Sequence, residues 1–218
     1  MSLLYNLFKP KSNLNIKNYI YLICARPSIS GSPILQSGVK VIADGAFKDC
    51  SLLTKVPSNS LSINYIGSRA FYNCTALESL SLGSSVRSIG SEAFANCTAL
   101  TSIIYDSYGS IKSLGERAYE GCTSLQSVTL GSNVTTIPFG LFKGCPSLYS
   151  VTGSNVTTIE NSAFQGCRVT QLSMPKLTTI GAYAFQGCNF TSFTINDIIA
   201  TIGEGAFEGC SLSTLYFE

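Results

Sequence analysis

Hydrophobic and polar positions recur along residues 39–218 with a period fixed by cysteine. Cys50, Cys74, Cys97, Cys122, Cys145, Cys167, Cys188 and Cys210 stand 24, 23, 25, 23, 22, 21 and 22 residues apart. Three positions before each is an aromatic: Phe47, Phe71, Phe94, Tyr119, Phe142, Phe164, Phe185 and Phe207. Four before is alanine, except at Leu141, and eight before is an aliphatic, from Ile42 to Ile202. The residue just before the cysteine is Asp49, Asn73, Asn96 or, from Gly121 onward, glycine. Gly, Asn and Asp tolerate a left-handed backbone. The pattern therefore predicts a short helical turn closed by a positive-φ residue. A strand is expected after each cysteine, and a second short extended stretch before each turn.

In the second unit the strand reads Leu77-Glu78-Ser79-Leu80-Ser81-Leu82, the Leu-x-x-Leu-x-Leu signature of a leucine-rich repeat. Ile89-Gly90-Ser91-Glu92-Ala93-Phe94-Ala95-Asn96-Cys97-Thr98-Ala99-Leu100 resembles, position by position, the BspA-like subclass of those repeats. The resemblance covers residues 39–218. It implies an α/β solenoid of about eight repeats, with a parallel β ladder, short helical turns and a second short strand in each. It also implies a surface protein engaged in adhesion. Departures are modest: Tyr119 stands for Phe, Leu141 for Ala, and Val169 and Leu212 come one residue early.

Each unit supplies apolar side chains that it cannot bury alone, so neighbours are expected to stack into a continuous core. Composition agrees with this. Charged residues make up 12% of the 218 and hydrophobic residues 45%, whereas average usage is about 25% charged. A long solvated helical bundle and a disordered chain are both disfavoured. The net charge of +2 gives no electrostatic case for nucleic acid.

The chain has no histidine, which removes the commonest general base and metal ligand. Paired Cys-x2-Cys spacings of a zinc site are missing. One cysteine per repeat at a fixed register instead predicts a ladder of buried free thiols. The acids near the turns, such as Asp44, Glu92, Glu116, Glu160, Glu204 and Glu208, are spread along the repeats and form no catalytic pair. The expectation is therefore no enzyme, no cofactor and no metal.

Residues 1–38 differ from the rest. Lys9, Lys11, Lys17 and Arg26 meet no acid in the first thirty residues. The apolar run from Tyr19 to Ala25 is short for a signal peptide and ends at Arg26. No stretch reaches the ~18 apolar residues of a membrane span, so no membrane insertion is expected. Residues 1–38 are read as an extension, a cap (through Leu3, Leu4, Leu7, Phe8, Ile16, Ile20 and Leu22) and a linker. Residues 39–218 are read as the solenoid. The final strand, Leu215-Tyr216-Phe217-Glu218, has no capping segment after it, which predicts a longer array or end-to-end association.

Asn-x-Ser/Thr sites occur at Asn73, Asn96, Asn133, Asn155 and Asn189. Two of these, Asn73 and Asn96, are explained by the turn; Asn133 and Asn155 lie in loops. Alternation along the strands sets Ser79/Ser81, Ser102/Ile104, Ser127/Thr129, Ser150/Thr152, Gln171/Ser173 and Ser192/Thr194 outward. That nearly neutral hydroxyl face is the candidate binding surface for a protein or glycan. A cell-surface or secreted recognition module is the first reading. The second is a cytoplasmic scaffold that docks through its basic N-terminal segment.

Overall fold

A computed structural model describes residues 20–22, 30–31, 39–56, 63–82, 84–104, 111–195 and 197–217. The expected cap residues Leu3 to Ile16 lie outside these. Among the described residues eighteen short strands, numbered along the chain, wind into a parallel β solenoid. Each coil has a strand before the Ala-aromatic corner and another after its cysteine.

The pre-corner ladder begins with β1 (Ile20–Leu22), β3 (Val39–Ile42), β5 (Tyr65–Ile66), β7 (Ser88–Ile89) and β9 (Ser113–Leu114). It resumes with β11 (Thr136–Ile137), β13 (Thr158–Ile159), β15 (Thr179–Ile180) and β17 (Thr201–Ile202). The break has a chemical cause. Gly90 and Gly115 donate their N–H groups to Ile66 and Ile89 of the coil before, and Glu160 donates to Ile137. The equivalent residue in the fifth coil is Pro138, which has no N–H to give.

The post-corner ladder comprises β6 (Ser79–Ser81), β8 (Ser102–Ile104), β10 (Ser127–Thr129), β12 (Ser150–Thr152) and β14 (Gln171–Ser173). Flanking it are the pairs β2 (Ser30–Gly31) with β4 (Leu52–Leu53), and β16 (Ser192–Ile195) with β18 (Thr214–Phe217). A parallel bridge from Lys55 to Ser79 continues the line between β4 and β6. Through β1 and β2, residues before 39 pair with the first repeat on both ladders. The segment expected to be a linker thus includes a strand.

The expected α/β class with helical turns is corrected: the described residues contain no helix. The corner takes another form because its N–H groups divide between two destinations. In the first coil Ala46, Lys48 and Cys50 donate to carbonyls three residues back. Between them, Gly45, Phe47 and Asp49 donate to Ser68, Ala70 and Tyr72 of the next coil at 2.7–2.9 Å. An α-helix would direct every N–H to the residue four back. Two residues per corner sit in the left-handed region. The expected one precedes the cysteine, from Asp49 at φ 61° to Gly209 at 70°. The other lies four residues earlier and includes Arg69, Glu92, Arg117, Ser162 and Tyr183 at φ 54–56°.

Inside the corners the aromatics form a spine. Centroids from Phe47 through Tyr119 to Phe185 are 5.0–5.7 Å apart, with rings within 19° of parallel. Phe207 continues the stack at 5.4 Å from Phe185. Phe190 closes on Phe185 edge-to-face at 5.2 Å. The eight ladder cysteines form no disulfide, and all are buried but Cys210, which is half-buried. From Cys74 to Cys210 each thiol donates to the carbonyl of the aromatic residue one coil back, at 3.0–3.3 Å.

Candidate binding face

Leu80, Ile103, Val128 and Val151 point into the core and are buried. Their strand neighbours must then face out. Register makes two straight columns of them. Ser79, Ser102, Ser127, Ser150 and Gln171 pair in sequence, as do Thr129, Thr152 and Ser173. Ser81 pairs with Ile104, Ser192 with Thr214 and Thr194 with Tyr216. Ser127, Thr129, Thr152, Gln171, Ser173, Ser192 and Thr194 are exposed, while Ser79, Ser102 and Ser150 are half-buried. The side chains of Ser81 and Ile104 lie outside the described set.

A third column runs beside these two. Backbone N–H groups link Thr101 to Glu78, Gln126 to Thr101, Tyr149 to Gln126 and Thr170 to Tyr149. The Thr101 hydroxyl also donates to the Glu78 carbonyl at 3.1 Å. Tyr149 stands on this column with 45% of its surface exposed. The signal was the spacing of inward leucines: Leu77 and Leu80 are three apart, so two successive residues between them turn outward. The resulting surface is broad and holds hydroxyls, the amides of Gln126 and Gln171, the Glu78 carboxylate at one end and the exposed rings of Tyr149 and Tyr216. Its chemistry suits hydrogen bonding and ring stacking with a neutral partner.

The thiols are poorly suited to nucleophilic work. Burial pushes Cys74 and Cys188 up to about 12. It drives Cys97, Cys122 and Cys167 well above the ordinary thiol range, with neighbouring thiols adding to the effect. A thiolate is the reactive form, so these groups are structural donors.

Charge collects at the corners instead. Arg69 holds Glu92 through two hydrogen bonds of 2.9 and 3.0 Å, and this contact lowers the Glu92 carboxyl. Arg117 lies 3.8 Å from Glu120 and 4.9 Å from the centre of the Phe139 ring. Among the sequon asparagines, Asn73 and Asn96 occupy left-handed turn positions. The Asn155 amide donates to the Ser132 carbonyl and accepts from Lys176. Asn133 and Asn189 are exposed.

The family model described as "BspA type Leucine rich repeat region" matches residues 40–170 and 157–218, in six copies. The chain belongs to this BspA-type family. Among solved members of the fold, a leucine-rich repeat protein from Bacteroides ovatus is 25% identical, with a TM-score of 0.64. That match covers 85% of this chain and 56% of the other, so the chain spans just over half of that protein's length. The T. pallidum leucine-rich repeat protein is 30% identical over 72% of this chain and 75% of its own, with a TM-score of 0.63. A leucine-rich cell surface protein from Faecalibacterium prausnitzii is 24% identical over 94% and 74%, also with a TM-score of 0.63. No curated protein matches the chain. These BspA-type repeats explain the aromatic spine and the thiol ladder as one device for stacking coils.

Proposed function

We propose that this BspA-type chain is a non-enzymatic recognition module that binds a protein or glycan at a cell surface. The observation that carries the reading is the outward register of the post-corner ladder, where three adjacent columns present hydroxyls, amides and Tyr149 on a rigid sheet. Preorganised polar groups on fixed strands bind without the cost of ordering a loop. The description of the Faecalibacterium fold relative as a cell surface protein motivates the choice of location.

The test is surface plasmon resonance of the purified chain over immobilised mucin-type glycoproteins and extracellular-matrix proteins. Tyr149→Ala, and Thr129→Gln combined with Thr152→Gln, should each weaken the strongest interaction at least tenfold. Equal binding by parent and variants would remove the face from consideration. Binding to none of the panel would overturn the adhesive reading.

A further inference from the structure

The pre-corner ladder carries a second surface of different chemistry. One column runs through Lys40 of β3 and the residues just before β5, β7 and β9, in the order Lys40, Asn64, Arg87, Lys112. Each residue's N–H donates to the carbonyl of the one before at 2.7–2.8 Å. Beyond the proline break the same column turns neutral, with Thr157 bonded to Thr135 and Thr178 to Thr157. Asn64, Arg87 and Lys112 are exposed and Lys40 is half-buried. The adjoining outward column holds Val41, Tyr65, Ser88 and Ser113, and 37% of the Tyr65 surface is open. Among the described residues neither column holds an acid. Asp44 and Glu116 lie beyond the buried aliphatics, at the corner, where Asp44 accepts from the Ser68 N–H.

Strands about 4.8 Å apart place Lys40 and Arg87 two steps from each other and Lys112 one step further. The cations therefore form a straight row roughly 14 Å long, perpendicular to the strands. In sequence, Lys9, Lys11 and Lys17 precede β1, which pairs with β3 at the edge of this same sheet.

We infer that this row is a binding site for a linear acidic polysaccharide, one bearing sulfate or carboxylate groups on successive sugars. An acidic peptide is the weaker fit. β3, β5 and β7 already pair on both sides, and the sheet is open only at the two-residue β9, so a peptide backbone would find an edge at one end of the row alone. A nucleic acid would ask for more cations and more stacking rings. A sugar chain uses what is present: cations for its anionic groups, the Tyr65 ring for a sugar face, and Asn64, Ser88 and Ser113 for hydroxyls. The site is separate from the hydroxyl face and does not depend on it.

Heparin oligosaccharide titrated into the full chain is the probe, with dextran as the neutral control. Heparin should bind and dextran should not. The plot of log Kd against log salt should have a slope of roughly 2–3, as expected for three displaced counterions. Lys40→Gln, Arg87→Gln and Lys112→Gln together should weaken heparin binding at least tenfold and flatten that slope, with thermal unfolding of the variant unchanged. Tyr65→Ala should weaken it several-fold at the same slope. Parent-like heparin affinity in the triple variant would overturn the site. So would loss of all binding on changing only Lys9, Lys11 and Lys17. Equal affinity for poly-glutamate or single-stranded DNA would show generic cation exchange and would also overturn it.

Discussion

At the residue scale, position within the repeat decides how much a side chain matters. Phe94 is fully buried and lies between Phe71 at 5.1 Å and Tyr119 at 5.6 Å. Removing its ring leaves a cavity that rigid corners on both sides hold open. Phe94→Ala should cost about 3–5 kcal/mol in a urea titration. Ser127→Ala, on the exposed face, should change stability by less than about 0.5 kcal/mol. The thiols make a different prediction, through pH. Folding raises their pKa, to about 12 at Cys74 and Cys188 from an ordinary value of 9.0. Below pH 9 both folded and unfolded chains keep these protons, so the thiols add no pH dependence. Above it the unfolded chain loses protons that the folded chain retains. Stability should fall by about 1.4 kcal/mol per pH unit for each shifted thiol. Urea midpoints measured from pH 7 to 11 should be flat and then drop, and the drop should shrink in a Cys74→Ala, Cys188→Ala variant.

At the scale of the element, the corner was only half legible. The turn before each cysteine was readable because Gly, Asn and Asp advertise a left-handed backbone. The second left-handed residue was not, since Arg69, Glu92, Arg117, Ser162 and Tyr183 carry no such signal. Nor could helix be told from turn: Ala-Phe-x suits either, and the choice rests on carbonyls one coil away. The hydroxyl columns were legible from alternation. Glu78 and Tyr149 are legible as neighbours of that face, but their joining through Thr101 and Gln126 into a column does not follow from alternation, which the leucine spacing breaks there. Glycine at the start of the corner has yet another role. A Cβ on Gly115 would lie 2.3 Å from the Ser91 nitrogen and 2.4 Å from the Gly90 carbonyl carbon. Gly144, at φ 70°, has only glycine backbone nearby, at 3.9 Å. Gly144→Ala should cost about 1–2 kcal/mol of backbone strain. Gly115→Ala must push neighbouring coils apart, so its loss in thermal or urea unfolding should be clearly the larger. Ser162→Gly should stabilise by a few tenths to about 1 kcal/mol.

For the whole molecule, cohesion is a series of coil-to-coil steps. The step between the fourth and fifth coils is distinguished by Pro138, where the pre-corner ladder stops and restarts. It keeps its corner bonds, with Tyr119 donating to Leu141 and Gly121 to Lys143, and the stack of Tyr119 on Phe142 at 5.7 Å. Weakening that step should uncouple the two sides. In Tyr119→Ala the calorimetric enthalpy of unfolding should exceed the van't Hoff value. Coincident enthalpies would mean that cooperativity crosses the break undiminished.

The corner bonds have an electrostatic meaning as well. The carbonyl of Ser68 accepts from Gly45 behind it, and the N–H of Arg69, in the same peptide unit, donates to Ser91 ahead. The same holds at the two neighbouring units of each corner, so three chains of peptide groups run head to tail from the first coil to the eighth. Their dipoles add as those of an α-helix do, although no helix is present among the described residues. The sense is reversed relative to a helix: N–H groups point towards the C-terminal coils. A positive pole therefore builds towards the later coils and a negative one towards the earlier, so the solenoid carries a polarity along its axis that its side-chain charges do not reveal.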